Sequence, residues 1–194
     1  SRKKPVDFLV GVREFLTDWN LADKFPLPRW AAMATAASGD AATLRDALAR
    51  LGELLTREER LAGYRRLVEL APPGVERLEA AFDLVSRLRT EGKPDEALAL
   101  VGATLRDHPL NLGVIRRAVA GYETAGRGDL AAAALRGALA SATAPYDREL
   151  TVRLVEVLTG SGKHGEAAST AAAWVARNPK DFEMMDRQWD ALSR

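Results

Sequence analysis

From Val6 to Trp19 the large apolar residues Leu9, Val12, Leu16 and Trp19 recur every three or four positions, which predicts one amphipathic helix, and the prolines at 26 and 28 break it. Trp30 to Ala37 is a short Ala-rich helical stretch closed by Ser38-Gly39. Asp40 then stands where an N-cap is wanted, ahead of a helix carrying Leu44, Leu48, Leu51 and Leu55. Thr56-Arg57-Glu58-Glu59 has the form of a capping box, so another helix starts at 57, carries Leu61, Tyr64, Leu67, Val68 and Leu70, and stops at Pro72-Pro73-Gly74. Alternating apolar and polar runs between turn residues are scarce, and the expected fold is all helix.

Beyond Val75 the pattern becomes periodic. First helices are predicted at roughly 75–90, 111–125 and 147–160 and second helices at roughly 94–107, 128–141 and 164–177. A last helix near 181–193 carries Met185, Trp189 and Leu192 on one face, as a terminal cap would. Gly92, Gly126 and Gly162 recur at intervals of 34 and 36 residues, each where a first helix must end. A left-handed backbone costs Gly little and strains any residue with a β-carbon, so these three are read as hairpin corners. Five residues after each corner stands Ala97, Ala131 or Ala167, small enough to let two helix axes approach to about 8–10 Å. Pro109 and Pro179 follow second helices that they cannot prolong. The middle unit reaches Pro145 two residues late, which predicts a longer turn near Ala142 to Pro145.

With these positions in place, the segment Leu78 to Asp181 resembles tandem tetratricopeptide repeats. The first unit supplies Leu84, Leu88, Gly92, Ala97, Val101 and Pro109 for the family's series of large, corner, small and closing residues. The second supplies Tyr122, Gly126, Ala131, Leu135 and Ala138, and the third Leu154, Leu158, Gly162, Ala167, Trp174 and Pro179. Residues 41–74 read as a degenerate repeat, with Leu51 and Tyr64 in place but Arg60 where the small Ala belongs. Elsewhere the family's opening Trp is Ala81, and its small residue at the close helix contact is Val85, Val119 or Val155. The resemblance implies a right-handed α-solenoid of antiparallel helical hairpins with about eleven helices. Its parts are an N-terminal helical segment at 1–40, the degenerate unit at 41–74, three repeats at 75–181 and a capping helix at 182–194.

Charge narrows the function. With 28 Lys plus Arg against 27 Asp plus Glu there is no basic excess to neutralise a phosphate backbone, so nucleic acid is not an expected partner. The absence of Cys removes disulfides, thiolate nucleophiles and Cys-ligated metals, and suits cytoplasm and periplasm alike. No apolar run is long enough to span a membrane. The start, Ser1-Arg2-Lys3-Lys4-Pro5, lacks Met and carries three adjacent cations of the kind found just cytoplasmic of a membrane anchor, which sets the expectation of a removed anchor against the plainer one of a solvated terminus.

Candidate chemistry is thin. His108 and His164 lie at turns of different repeats with no partner ligands in the pattern, so they are read as surface histidines, and no metal or cofactor is expected. Glu58-Glu59 and Asp95-Glu96 sit in first turns, where carboxylates serve the helix dipole rather than acid–base catalysis. Neither Thr104 nor Ser161 has a His with an acid placed to orient it, so no catalytic residue is named and no enzyme is expected. Of the four Trp, Trp174 and Trp189 are expected in the repeat packing. Trp19 and Trp30 flank the corner Lys24-Phe25-Pro26-Leu27-Pro28 and are expected in the core rather than as exposed anchors.

The resemblance implies that first helices line a groove receiving an extended peptide or a helix from a partner protein. Its positions in this chain would be Phe82, Ser86 and Arg89, then Arg116, Ala120 and Glu123, then Val152, Arg153 and Glu156. Phe82 and Ser86 stand where the members that clamp a chaperone's C-terminal carboxylate have Lys and Asn, which disfavours that mode. Arg89, Arg116, Arg117 and Arg153 form a candidate cationic strip for an acidic or mixed segment, unless they pair with Glu123 and Glu156. The expected function is a non-enzymatic adaptor or scaffold. Its finer form is the soluble part of a membrane-anchored bacterial protein organising an envelope, secretion or polysaccharide-export complex, cytoplasmic and tethered to the inner membrane. A peptide-sensing regulatory domain of a larger enzyme or signalling protein and a self-associating repeat protein are the alternatives. For the packing itself, Ala131→Trp is expected to overfill the hairpin contact and destabilise by about 1–3 kcal/mol, measured by chemical denaturation.

Overall fold

The computed structural model describes residues 4–19, 21–140 and 146–193. Among them are eleven α-helices and no strand. In chain order these are α1 (Lys4–Asp18), α2 (Leu27–Ala37), α3 (Ala41–Leu51), α4 (Arg57–Leu70), α5 (Val75–Thr90), α6 (Pro94–Asp107), α7 (Leu112–Thr124), α8 (Gly128–Leu139), α9 (Asp147–Gly160), α10 (His164–Arg177) and α11 (Phe182–Leu192). Ser1, Arg2, Lys3 and the turn predicted at Ala142 to Pro145 lie outside the described residues. The chain forms two compact units, residues 1–100 and 101–194.

In the first unit α1, α2 and α3 pack on one another, α3 on α4 and α4 on α5. The predicted caps are present. The Asp40 carboxylate accepts from the Thr43 amide at 2.9 Å, and Thr56 and Glu59 cap each other reciprocally. Pro28, read as a breaker, instead lies in the first turn of α2, where its missing amide costs no hydrogen bond. Leu44, Leu48, Leu51, Leu61 and Leu67 make the core. The degenerate hairpin closes without a left-handed corner, through a short 3-10 turn at Gly52–Leu54. The small residue at its closest approach is Gly63, three positions after Arg60. A β-carbon there would stand 2.7 Å from Leu48 Cδ2. Arg60 itself reaches out to Glu91 at 3.6 Å.

In the second unit α7 packs on α8, α8 on α9, α9 on α10 and α10 on α11. Gly126 and Gly162 take φ of 69° and 73°, matching Gly92 at 71° in the first unit. Ala97, Ala131 and Ala167 are all buried. Each corner carries one hydrogen-bond pattern: the amides of Lys93, Arg127 and Lys163 donate to the carbonyls of Leu88, Tyr122 and Leu158 at 2.8–2.9 Å. The predicted helices of the clean repeats thus stand within one or two residues of their expected places. These antiparallel hairpins, with left-handed corners and a buried alanine on each second helix, are tetratricopeptide-like.

Two expectations about the aromatics are overturned. Trp19 is 67% exposed, with Phe15 tilted beside it, because α1 buries Val6 and Leu16 instead. Trp189 is 72% exposed, because α11 packs through Met184 and Ala191, a face rotated from the predicted Met185, Trp189 and Leu192. Trp174 is buried as predicted, whereas Trp30 is half-buried.

The corner requirement is directly testable against an ordinary helical glycine. An added β-carbon meets nothing within 4 Å at either Gly126 or Gly137. Gly126→Ala is therefore expected to lose about 1–2 kcal/mol from backbone strain alone. Gly137→Ala, exposed in the last turn of α8, is expected to gain up to about 1 kcal/mol. Urea denaturation of the two variants should move the midpoint in opposite directions.

Candidate functional site

Helix α9 buries Leu150, Leu154, Val155 and Leu158, which leaves Glu149, Val152, Arg153 and Glu156, at i, i+3, i+4 and i+7, on a second face. Helix α7 likewise buries Val114, Ala118 and Tyr122. Burial raises the Tyr122 pKa above the ordinary phenol value, since removing water disfavours the phenolate. Between them an open groove of about 680 Å³ has an apolar floor of Ile115, Val119, Leu135 and Leu150. Tyr146 and Val152 stand in its walls, and Arg116, Arg148, Glu149, Arg153 and Glu156 complete its lining.

The rim is held by paired charges. Arg116 Nε donates to Glu149 at 2.7 Å. Arg153 is shared between Glu123 of α7 and Glu156 of its own helix, the latter at 2.9 Å. Glu156 also meets Arg187 of α11 at 2.9 Å, and Arg187 donates to Glu183 at 3.2 Å. Glu183 accepts from Arg148 at 2.8 Å, and Arg148 grips both oxygens of Asp181 at 2.8 and 3.0 Å. The Asp181 carboxylate further accepts from Trp174 Nε1 at 2.9 Å. A continuous relay of opposite charges thus joins α7, α9 and α11. Each exposed pair is weak on its own because solvent screens it, but the linked pairs tie α7, α9 and α11 to one another.

The relay also sets titration. The bidentate Arg148, and then the Trp174 N–H, hold the Asp181 carboxyl down at about 2. Arg148 and Arg187 lower Glu183 in turn, and Arg148 is itself raised by its hydrogen bonds to Asp181 and Glu183.

Of the residues named from sequence, the groove brings together Arg116, Val152, Arg153 and Glu156, and Glu123 joins them through Arg153. Arg117 and Ala120 are exposed on α7 and are not among the lining side chains. Phe82, half-buried, and the exposed Ser86 and Arg89 lie on α5 in the other unit. The sequence reading missed Tyr146, Arg148 and Glu149. Extending the Val152, Arg153 and Glu156 face one turn back would have found Glu149; Arg148 and Tyr146 are brought in by the way α9 begins. Both histidines are half-buried. Among the described residues no three His, Cys, Asp or Glu side chains form a metal-ligand group, and no helix is long and apolar enough to cross a membrane.

No protein-family model matches the chain, and no curated protein does. Among solved structures, the chain is similar to a thermophilic TPR protein of Thermus thermophilus, at 22% identity over all of both chains with a TM-score of 0.43. It is also similar to the MamA RS-1 ArsTM double mutant, at 12% identity over 98% of both chains with a TM-score of 0.45.

Asp181 gives the site a pH signature. Its folded pKa lies below the ordinary value of about 3.9, so its contribution is full above that value and is lost as pH falls through about 2. Wild type should therefore lose melting temperature between pH 4 and pH 2 more steeply than Asp181→Asn, read by circular dichroism; parallel curves would show that the carboxylate is not held by Arg148 and Trp174.

Proposed function

We propose that the chain is a non-enzymatic protein-binding scaffold, and that its second unit takes a peptide or helix of a partner protein into the groove between α7 and α9. The observation that carries this reading is the open groove itself, about 680 Å³ with an apolar floor and a charged rim. Its arginines are already matched: Arg116 by Glu149, and Arg153 by Glu123 and Glu156. This favours an apolar or mixed-charge occupant over a purely acidic one, with the floor supplying affinity and the rim setting register. No cofactor or metal enters the reading. In its finer form the scaffold works at the cytoplasmic face of a bacterial membrane, an expectation resting on Arg2-Lys3-Lys4 alone.

Val152 gives the cleanest test, because it lines the groove, is only half-buried and stands outside the ion-pair relay. Val152→Glu is expected to leave the helical spectrum unchanged and to weaken binding of groove peptides by about tenfold or more. Peptides encoded by the native genome, displayed and selected on wild type, are re-measured on the variant. Binders unaffected by Val152→Glu and by Arg116→Glu together would place the protein-binding surface elsewhere.

A further inference from the structure

The first unit has a cavity of its own, built on elements other than those of the α7–α9 groove. It lies between α2 and α4, with a volume of about 300 Å³, and the buried Leu44 and Leu55 line its apolar interior. Ala36 of α2 and Ala62 of α4 stand in its walls, too small to fill it. Thr35 adds a methyl rather than a hydroxyl, because its Oγ1 donates to the Ala31 carbonyl of its own helix at 2.9 Å while its Cγ2 is turned towards Gly63. Two charged side chains complete the lining, Glu59 and Arg66, which share one face of α4 and stand about 10 Å apart along its axis. Their electrostatic situations differ. Glu59 is committed to the α4 cap, where one carboxylate oxygen accepts from both the amide and the hydroxyl of Thr56 at 2.9 Å. Arg66 Nη1 donates to the Ala36 carbonyl, in the last turn of α2, at 2.6 Å. That acceptor is neutral, and among the described residues Arg66 has no carboxylate partner, whereas Arg116, Arg148 and Arg153 at the groove are each matched by one. The Ala36 bond fixes the guanidinium and uses one nitrogen, which leaves the Nε and Nη2 edge for a bidentate acceptor.

We propose that this cavity binds a small apolar carboxylate, an aryl or short alkyl acid whose body lies against Leu44 and Leu55 and whose carboxylate pairs with Arg66. Three observations select that class. The volume stands at the lower end of ligand cavities, which suits a compact molecule rather than a helix of a partner. The interior offers nothing polar to satisfy, since the Thr35 hydroxyl is already bonded within α2. The one unmatched charge in the lining is a cation, already oriented, so the ligand's charge is negative. The lining also sets a direction. The carboxylate belongs at the Arg66 end and the apolar body towards Glu59, whose charge repels an anion and whose bonded oxygen is engaged by Thr56. Because such a ligand binds only the folded first unit, it stabilises α2, α3 and α4 together. The cavity lies wholly within residues 32–66 and the proposal does not rest on the scaffold reading.

Proton–nitrogen correlation NMR of the 194-residue chain, titrated with 4-phenylbutyrate, measures the binding. Parallel titrations with 4-phenylbutanamide and 4-phenylbutylamine keep the apolar body and change only the charge. The expected result is a set of saturable amide shifts concentrated in α2, α3 and α4, with the acid bound about tenfold more tightly than the neutral amide and the amine weakest. Arg66→Gln keeps a donor for the Ala36 carbonyl and removes the charge, so it should lower the acid to the level of the amide and leave the amide's affinity unchanged. Ala62→Phe, at an exposed position of α4 that lines the cavity, should weaken acid and amide alike by occupying the space. The comparison of acid with amide on the wild type needs no variant, so it decides the charge assignment even where a substitution unfolds the first unit. No saturable shift up to about 10 mM acid, or shifts confined to the second unit, overturns the site. Equal affinity for acid and amide, or tightest binding of the amine, overturns the pairing with Arg66.

Discussion

Each clean hairpin depends on one geometric condition: two helices must reverse direction within three residues and then lie close together. The left-handed backbone at Gly92, Gly126 and Gly162 meets the first half of that condition, and the buried Ala97, Ala131 and Ala167 meet the second. The leucines and valines around them need only be large and apolar. The corner amides of Lys93, Arg127 and Lys163 then donate to the Leu88, Tyr122 and Leu158 carbonyls, satisfying acceptors that the last turn of each first helix would otherwise leave open. The degenerate hairpin shows the condition met differently. With no left-handed corner its chain turns through Gly52–Leu54, the close approach moves to Gly63, and Arg60 is released to pair with Glu91.

Closing the hairpins leaves the first helices of the second unit with a face that their own packing does not use, and it is there that charge is organised. Arginines and carboxylates alternate from Glu123 through Arg153, Glu156, Arg187, Glu183 and Arg148 to Asp181. Arg153 and Arg187 are each shared between carboxylates on different helices, and Arg148 of α9 grips Asp181 and Glu183 at the start of α11, so the relay ties α7, α9 and α11 together. An apolar floor under such a rim suits recognition by burial, with polar contacts serving orientation. Asp181 has three roles at once: N-cap of α11, acceptor for Trp174 and anchor for Arg148.

Large apolar side chains stay exposed on the first and last described helices. On α1 these are Phe8, Phe15 and Trp19, and on α11 they are Phe182, Trp189 and Leu192. The two stripes are not equivalent. Trp189 and Leu192 stand 34 residues after Val155 and Leu158, at register positions that the preceding hairpin buries.

Most of the architecture was legible without coordinates, because local rules decide it. Helix existence, the Asp40 and Thr56 caps, the Gly corners and the 34- and 36-residue intervals each follow from a few neighbouring residues, and the described structure reproduces them. Part of the groove lining was legible for the same reason, since Val152, Arg153 and Glu156 share one face of one helix. What only the tertiary structure decided is the rotation of each helix about its axis and the meeting of side chains some thirty residues apart. Arg148 reaches Asp181 and Glu183, Arg116 reaches Glu149, and α11 turns Met184 inward and Trp189 outward, because packing against neighbouring helices chooses among faces of similar apolarity. Periodicity names an apolar stripe; the partner helix selects which edge of it is buried.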